Sequence, residues 1–171
     1  MKIVSIIIPH YNGKELLHNC INSIYQNISI ENFEIIVVDN GSKDESVKNI
    51  RQLFSDVIII SNKENVGYSG GCNIGAKNAE GKYLIFLNND TEHSKDWIEK
   101  LVSFLDSNPD TFAAQPKILN IKNKEYFDYA GGAGGFIDHF CFPYVKGRVF
   151  NTLEKDNGQY NKASKIFWSS G

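Results

Sequence analysis

Residues 3–42 read IVSIIIPHYNGKELLHNCINSIYQNISIENFEIIVVDNGS, and this stretch decides the fold. It opens on IVSIII, a run of apolar, mostly β-branched residues broken by a single serine. A strand with one solvated face alternates apolar and polar side chains. A continuous run belongs to a strand buried on both faces, as in a parallel sheet. Pro9 ends the run. Over residues 14–27, Leu16, Leu17, Cys20, Ile21, Ile24 and Tyr25 recur at helical spacing and make one apolar stripe. Residues 34–38, EIIVV, form a second continuous run, and Asp39-Asn40-Gly41 reads as a turn. Strand, helix and parallel strand make a βαβ unit with a right-handed crossover.

The alternation continues on the C-terminal side. Ser42 opens SKDE with Glu45 three residues on, a capping-box signature that predicts a helix to about Phe54. Residues 57–61 (VIIIS) predict a third strand, 62–71 (NKENVGYSGG) a Gly-rich loop, and 72–79 a short helix. Residues 83–87 (YLIFL) predict a fourth strand, ending in Asn88-Asn89-Asp90-Thr91. Ser94 reads as the N-cap of a helix to about Leu105, which Asn108-Pro109-Asp110 closes. The fold class is therefore α/β: a Rossmann-like, mostly parallel sheet with helices on both faces. After residue 106 the pattern changes. Residues 112–119 are a candidate strand. Residues 126–150, rich in glycine and aromatics, read as irregular or hairpin structure, and 166–168 (IFW) start another apolar run. The expectation is one domain over 1–171, divided into 1–106 and 107–171.

Bulk composition narrows the function classes. At 171 residues, 42% hydrophobic and 22% charged, the chain suits one globular domain with a sizeable core. A net charge of −2 argues against a nucleic-acid partner, which would select a basic surface. Phosphate in a ligand would have to be held by local groups. Three cysteines, an odd count without regular spacing, argue against a disulfide framework and for a reducing compartment. No apolar run is long enough for a signal peptide or a bilayer span.

In open α/β sheets ligands bind beyond the carboxyl ends of the strands. Those ends carry Pro9-His10-Tyr11-Asn12-Gly13, Asp39-Asn40-Gly41-Ser42 and Asn88-Asn89-Asp90-Thr91, with the Gly-rich loop after the third strand. Asp90 reads either as a ligand for a divalent cation or as a turn or cap residue. Asp39 reads either as an acceptor for the imide N–H of uracil or thymine or as an Asx-turn residue. Glycines of the loop 65–71, Gly67 among them, let backbone approach a ligand closely, or simply make a flexible loop. Tyr11 reads as a base-stacking or a packing aromatic. The four histidines have no metal-ligand spacing, which argues against zinc. Neither a dinucleotide-binding G-x-G-x-x-G after the first strand, nor a P-loop, nor a G-x-S-x-G elbow is present.

Each feature is ambiguous alone, but the ordered set is specific. SIIIPHYNG, IIVVDNGSKDES and NVGYSGGCNIGAKNAEGKYLIFLNNDT together resemble the family 2 glycosyltransferases of GT-A fold, and within them the bacterial rhamnosyltransferase-like branch. The resemblance covers residues 3–91. It implies that Pro9, Tyr11 and Asn12 line a nucleoside pocket and that Asp39 binds the pyrimidine. Gly67, Asn73, Asn88 and Asn89 would complete the nucleotide site. Asp90 would stand at the metal-binding position of the family's Asp-x-Asp motif, with Mg²⁺ or Mn²⁺ as the cofactor. Asn88 and Asn89 replace acidic residues of many relatives, which leaves one carboxylate for the metal. The resemblance puts the catalytic base on a later carboxylate, past Gly171. Asp128, Asp138 and Asp156 have no claim to that role.

The implied reaction is transfer of a hexosyl group with inversion, from a UDP- or dTDP-linked sugar to a polysaccharide or lipid-linked glycan. The 107–171 half would begin the acceptor side. The implied setting is surface polysaccharide synthesis in the cytoplasm or at the inner face of the membrane, with a homodimer favoured if apolar patches stay exposed. Two rival readings are a nucleotidyltransferase and a nucleotide-binding pseudo-enzyme or docking module without turnover. The first loop, PHYNGKE, argues against the former because it lacks the Gly-rich, basic character of a triphosphate loop.

Overall fold

A computed structural model describes residues 2–170. The chain forms two compact units, residues 1–99 and 100–171.

The first unit is a four-stranded parallel sheet with its helices. Strand β1 (Val4–His10) leads through helix α1 (Lys14–Asn27) to β2 (Phe33–Asp39), then through α2 (Ser46–Leu53) to β3 (Ile58–Ser61). Helix α3 (Gly67–Asn78) carries the chain back to β4 (Tyr83–Phe86), and α4 (Trp97–Ser107) begins at the end of this unit and continues into the second. The spatial order is β3-β2-β1-β4, and every pairing is parallel. The chain thus steps outward from β1 to β3, then returns to β1's other side. That reversal makes the gap between β1 and β4 the topological switch point, where α/β sheets bind ligands.

Burial explains the continuous apolar runs. All of β1 and nearly all of β2 are buried on both faces. On one face Ile7, Ile36 and Val38 pack with Ile60 of β3 and Ile74 and Ala76 of α3. By strand alternation Ile6, Ile8, Ile35 and Val37 turn to the other face, and all four are buried there. The buried stripe of α1 (Leu17, Cys20, Ile21, Ile24) and Ile50 of α2 cover that side. Helix α3 lies close to β1 because its inner positions are glycines. A Cβ added at Gly75 would stand 2.3 Å from Ile7 Cγ2, and one at Gly71 would stand 2.9 Å from Pro9 Cβ.

Several boundaries correct the sequence expectations. Helix α2 starts at Ser46, not Ser42. Ser42 N–H bonds Asp39 Oδ1 at 2.8 Å, and it is Asp44 Oδ1 that takes the Ser46 N–H at 3.1 Å. Helix α3 starts at Gly67, not 72, so half of the expected loop is helical. Asn65 Oδ1 takes the Gly67 N–H at 2.8 Å, one of the orphan donors at a helix start. Helix α4 starts at Trp97, not at Ser94, because Asp96 sits at φ 57 in the left-handed region.

In the second unit β5 (Gly135–Ile137) and β6 (Pro143–Val145) form an antiparallel hairpin, and β7 (Arg148–Val149) pairs with β8 (Thr152–Leu153). The expected hairpin structure in 126–150 is present. The candidate strand 112–119 is not: Leu119 makes an isolated bridge with Phe127. The apolar run at 166–168 contributes one bridge, between Trp168 and Gly135. Phe127 is fully buried at the centre of this unit, packed against Gly147 and 5.4 Å from the Tyr160 ring.

Candidate functional site

The carboxyl ends of β1, β2 and β4 bring three loops together, and side-chain hydrogen bonds tie them into one frame. On the β2 side, Asn12 and the 42–43 segment bond reciprocally. Asn12 N–H donates to Ser42 Oγ at 2.9 Å, and Asn12 Oδ1 accepts the Lys43 N–H at 2.8 Å. Asn12 holds φ 55 there, a left-handed conformation that asparagine tolerates. Gly13 N–H donates to Asp44 Oδ2 at 2.7 Å. Asn40 Nδ2 donates to Gly67 O at 3.2 Å, and Asn62 Nδ2 to Asn40 Oδ1 at 3.0 Å, so the start of α3 is fastened to the same edge.

Asp39 ends β2 and is 6% exposed. Its Oδ1 takes the Ser42 N–H described above, a local side-chain-to-backbone bond three residues on. One oxygen is thereby committed inside the loop. Tyr11 lies about half exposed on the loop after β1. Pro9 is buried beneath Gly71. Gly67 opens α3 at φ 75 with open space where a side chain would project. Asn73 lies on the exposed face of α3, and among the described residues no side-chain hydrogen bond ties it to the frame.

After β4 the chain leaves the sheet: Leu87 N–H bonds Ile7 O at 2.9 Å, and Asn88–Asp90 turn away from β1. Asn88 O accepts from Thr91 Oγ1 at 3.0 Å and from Cys20 Sγ at 3.6 Å, which pins the turn to α1. Asn89 points inward, with Nδ2 2.7 Å from His10 Nδ1. Asp90 is exposed. Among the described residues no three His, Cys, Asp or Glu side chains converge as a metal cluster. A cation at Asp90 would take one carboxylate from these residues. That donor set suits Mg²⁺ or Mn²⁺ when diphosphate oxygens and water complete the shell.

His10 is the residue that sequence reasoning missed. It is 1% exposed, and its Nε2 lies 2.8 Å from Ser46 Oγ. Burial pulls its pKa below the usual histidine value, against the pull of the Asp44 and Asp39 charges. Ser46 in turn donates its hydroxyl to Asp44 Oδ1 in a short contact. For Asp44, burial raises the pKa but is outweighed by the bonds from Ser46 and Gly13, which hold it below the usual aspartate value.

Three acidic residues of the second unit have structural partners. Asp128 Oδ1 caps Ala130 N–H, Asp138 Oδ1 takes the Phe140 and Phe142 N–H groups, and Asp156 pairs with Lys117. The expected position of the base, past Gly171, lies outside the described residues.

The family model described as Glycosyl transferase family 2 matches residues 5–166, almost the whole chain. The chain belongs to glycosyl transferase family 2. Within this family it is 37% identical over 122 residues to an uncharacterized glycosyltransferase of Haemophilus influenzae, covering 70% of this chain and 37% of that protein. It is 41% identical over 98 residues to the uncharacterized glycosyltransferase YfnE of Bacillus subtilis, covering 56% of this chain and 25% of that protein. The chain therefore spans a quarter to two-fifths of the length of these two relatives. Among solved structures it is similar to S. aureus TarS 1–349 in complex with UDP, with a TM-score of 0.59 and 22% identity over 70% of this chain and 39% of that one. TarS 1–349 in complex with UDP-GlcNAc matches with a TM-score of 0.58 and 22% identity over 70% of this chain and 38% of that one. These likenesses establish the GT-A fold for this family 2 chain.

Proposed function

We propose that this domain binds a UDP- or dTDP-sugar at the β1–β4 switch point and supports inverting transfer of its hexosyl group to a polysaccharide or lipid-linked glycan. The observation that carries the reading is the convergence of Asp39, the start of α3 and the Asn88–Asp90 turn on one sheet edge. The structural relatives support it, since TarS is known in complex with UDP and with UDP-GlcNAc.

In this reading the uracil or thymine ring lies near Tyr11 and Pro9, and the Asp39 oxygen not used in its turn accepts the imide N–H. The opening of α3, where Gly67 leaves open space, offers backbone N–H groups and the positive end of a helix to the diphosphate. Asp90 holds Mg²⁺ or Mn²⁺, which offsets charge on the departing diphosphate when bound. Asn12 and Asn40 contribute by rigidity: their side chains hold the loops in place before the ligand arrives. Asn73 is proposed to meet the ligand from the exposed face of α3, and Asn88 to shape the turn through its carbonyl. The acceptor would meet the aromatic-rich 126–150 segment, where Tyr129 and Phe140 are exposed and Phe136 stacks on Tyr144 at 5.5 Å. The rhamnosyltransferase-like branch, a homodimer and a site at the inner face of the membrane belong to the same proposal. Among the described residues no helix is long and apolar enough to cross a membrane.

The test is product analysis with the intact protein, offered UDP- and dTDP-hexoses together with lipid-linked oligosaccharide. Release of nucleoside diphosphate and an anomeric proton of inverted configuration in the product are expected. An intact sugar nucleotide with every donor, or retained configuration, would contradict the proposal.

A further inference from the structure

We propose that His10 is a positioning residue of the donor site, one that holds the Asn88–Asp90 turn in register with the nucleoside loops through Asn89. The inference rests on the donor-site reading above and adds a residue to it.

Its basis is a hydrogen-bond chain whose direction is determined at both ends. Asp44 is a carboxylate and can only accept, so Ser46 must donate its hydroxyl to Oδ1. Ser46 Oγ then accepts from His10, which places the ring proton on Nε2, 2.8 Å away. Nδ1 is left with a bare lone pair, and the Asn89 amide, 2.7 Å away, donates into it. The far end of the chain is closed by Gly13 N–H on Asp44 Oδ2 at 2.7 Å. Every donor has one acceptor, and the buried ring is fully satisfied in a single neutral tautomer.

The location gives the chain its purpose. On the β2 side His10 is held by backbone, with Asn40 N–H on His10 O at 2.8 Å. On the β4 side the ladder has already stopped at Ile7 and Phe86, and Leu87 makes the last sheet bond. Between β1 and the Asn88–Asp90 turn, the His10–Asn89 bond therefore takes over where backbone pairing ends. Asn89 spends its amide inward, and its neighbour Asp90 is presented outward. Without this bond the turn would keep its tether to α1 through Asn88 and Thr91 but lose its tether to β1.

The two ring nitrogens can be tested separately. His10→Asn places an amide close to where Nδ1 stood and can accept from Asn89. His10→Gln places its amide near the Nε2 position and restores the Ser46 side. His10→Leu restores neither. The readouts are UDP affinity by calorimetry with Mn²⁺ and with EDTA, and the Asn89 side-chain amide signals in ¹⁵N NMR without nucleotide. His10→Leu and His10→Gln should lose at least tenfold in affinity with Mn²⁺ and much less with EDTA, and the Asn89 amide should lose its protection. His10→Asn should retain most of both, and Asn89→Ala combined with His10→Leu should be no worse than either change alone.

Equal losses with Mn²⁺ and EDTA across all three His10 variants would overturn the proposal and leave the donor site standing. So would losses that only follow melting temperature. If the wild-type chain bound no UDP at all, the donor-site reading would fail first. The NMR signals would then show the His10–Asn89 bond to be structural only, which also overturns the proposal.

Discussion

His93 shows how one partly buried ring couples this fold to pH. Its backbone N–H bonds Ser23 Oγ at 2.8 Å, and its ring stacks on Trp97 at 4.5 Å. Thr91 already donates its hydroxyl to Asn88, so His93 Nε2 must donate to Thr91 Oγ1 at 3.2 Å, and Nδ1 is buried without a partner. Burial lowers its pKa to about 4, against a weak opposing pull from Glu92. The unfolded chain takes up this proton near the ordinary value of 6.5, whereas the folded chain resists until about 4. Stability is therefore fully present above 6.5 and declines as pH falls towards 4, by up to about 3 kcal/mol from this group. His10, also lowered by burial, adds in the same direction. Urea midpoints measured between neutral and mildly acid pH should fall, and His93→Gln should flatten the slope; parallel slopes would contradict the account. Residues of this kind were hardly legible in sequence. Asp39 and Asp90 stood out as candidates because one ends an apolar strand and the other lies in the short turn after one. His10 could not, since its partners lie 36 and 79 positions away and no metal spacing marks it.

Elements were legible where burial alone decides them. Strands β1 and β2 read as continuous apolar runs because both of their faces are covered, and α1 showed its stripe because one face is not. Three helix starts were misplaced where a side-chain oxygen or a left-handed residue settled the boundary: Asp44 before α2, Asn65 before α3 and Asp96 before α4. The glycines before and within α3 suggested a loop, yet Gly71 and Gly75 serve helix–strand packing. Gly75→Ala would drive a methyl to within 2.3 Å of Ile7 Cγ2, in a site where Ile7 is fully buried. Overpacking of this kind costs about 1–3 kcal/mol. Chemical denaturation should show that loss, and an unchanged midpoint would mean that α3 can shift outward freely. At the opposite edge of the sheet the buried Glu34 takes Lys2, Ser5 and the Glu80 N–H, so the start of β4 is fastened by a polar network remote from the donor site. Its Lys2 bond lies partly in solvent and adds little by itself.

At the scale of the molecule, the division of labour is between a rigid sheet edge and the loops it carries. The alternation of strands and helices implied a parallel sheet, but the strand order β3-β2-β1-β4, and with it the switch point between β1 and β4, became visible only once β4 was seen beside β1. The second unit was the least legible, because glycine and aromatic residues in short hairpins carry no long periodicity. Family membership is secure from the match over residues 5–166. In the proposed function, the edge of the first unit grips a pyrimidine nucleoside diphosphate through Asp90 and a divalent cation. The most direct measurement is the melting temperature of the chain with UDP, dTDP, GDP and ADP, each with and without Mn²⁺, for wild type and Asp90→Ala. A ligand at about 100 times its dissociation constant stabilises by about 2.7 kcal/mol, several degrees for a domain of this size. The proposed donor site predicts a rise with UDP or dTDP that needs Mn²⁺ and disappears in Asp90→Ala. A rise of equal size with all four nucleotides, one indifferent to Mn²⁺ and to Asp90, or none with any nucleotide would contradict it.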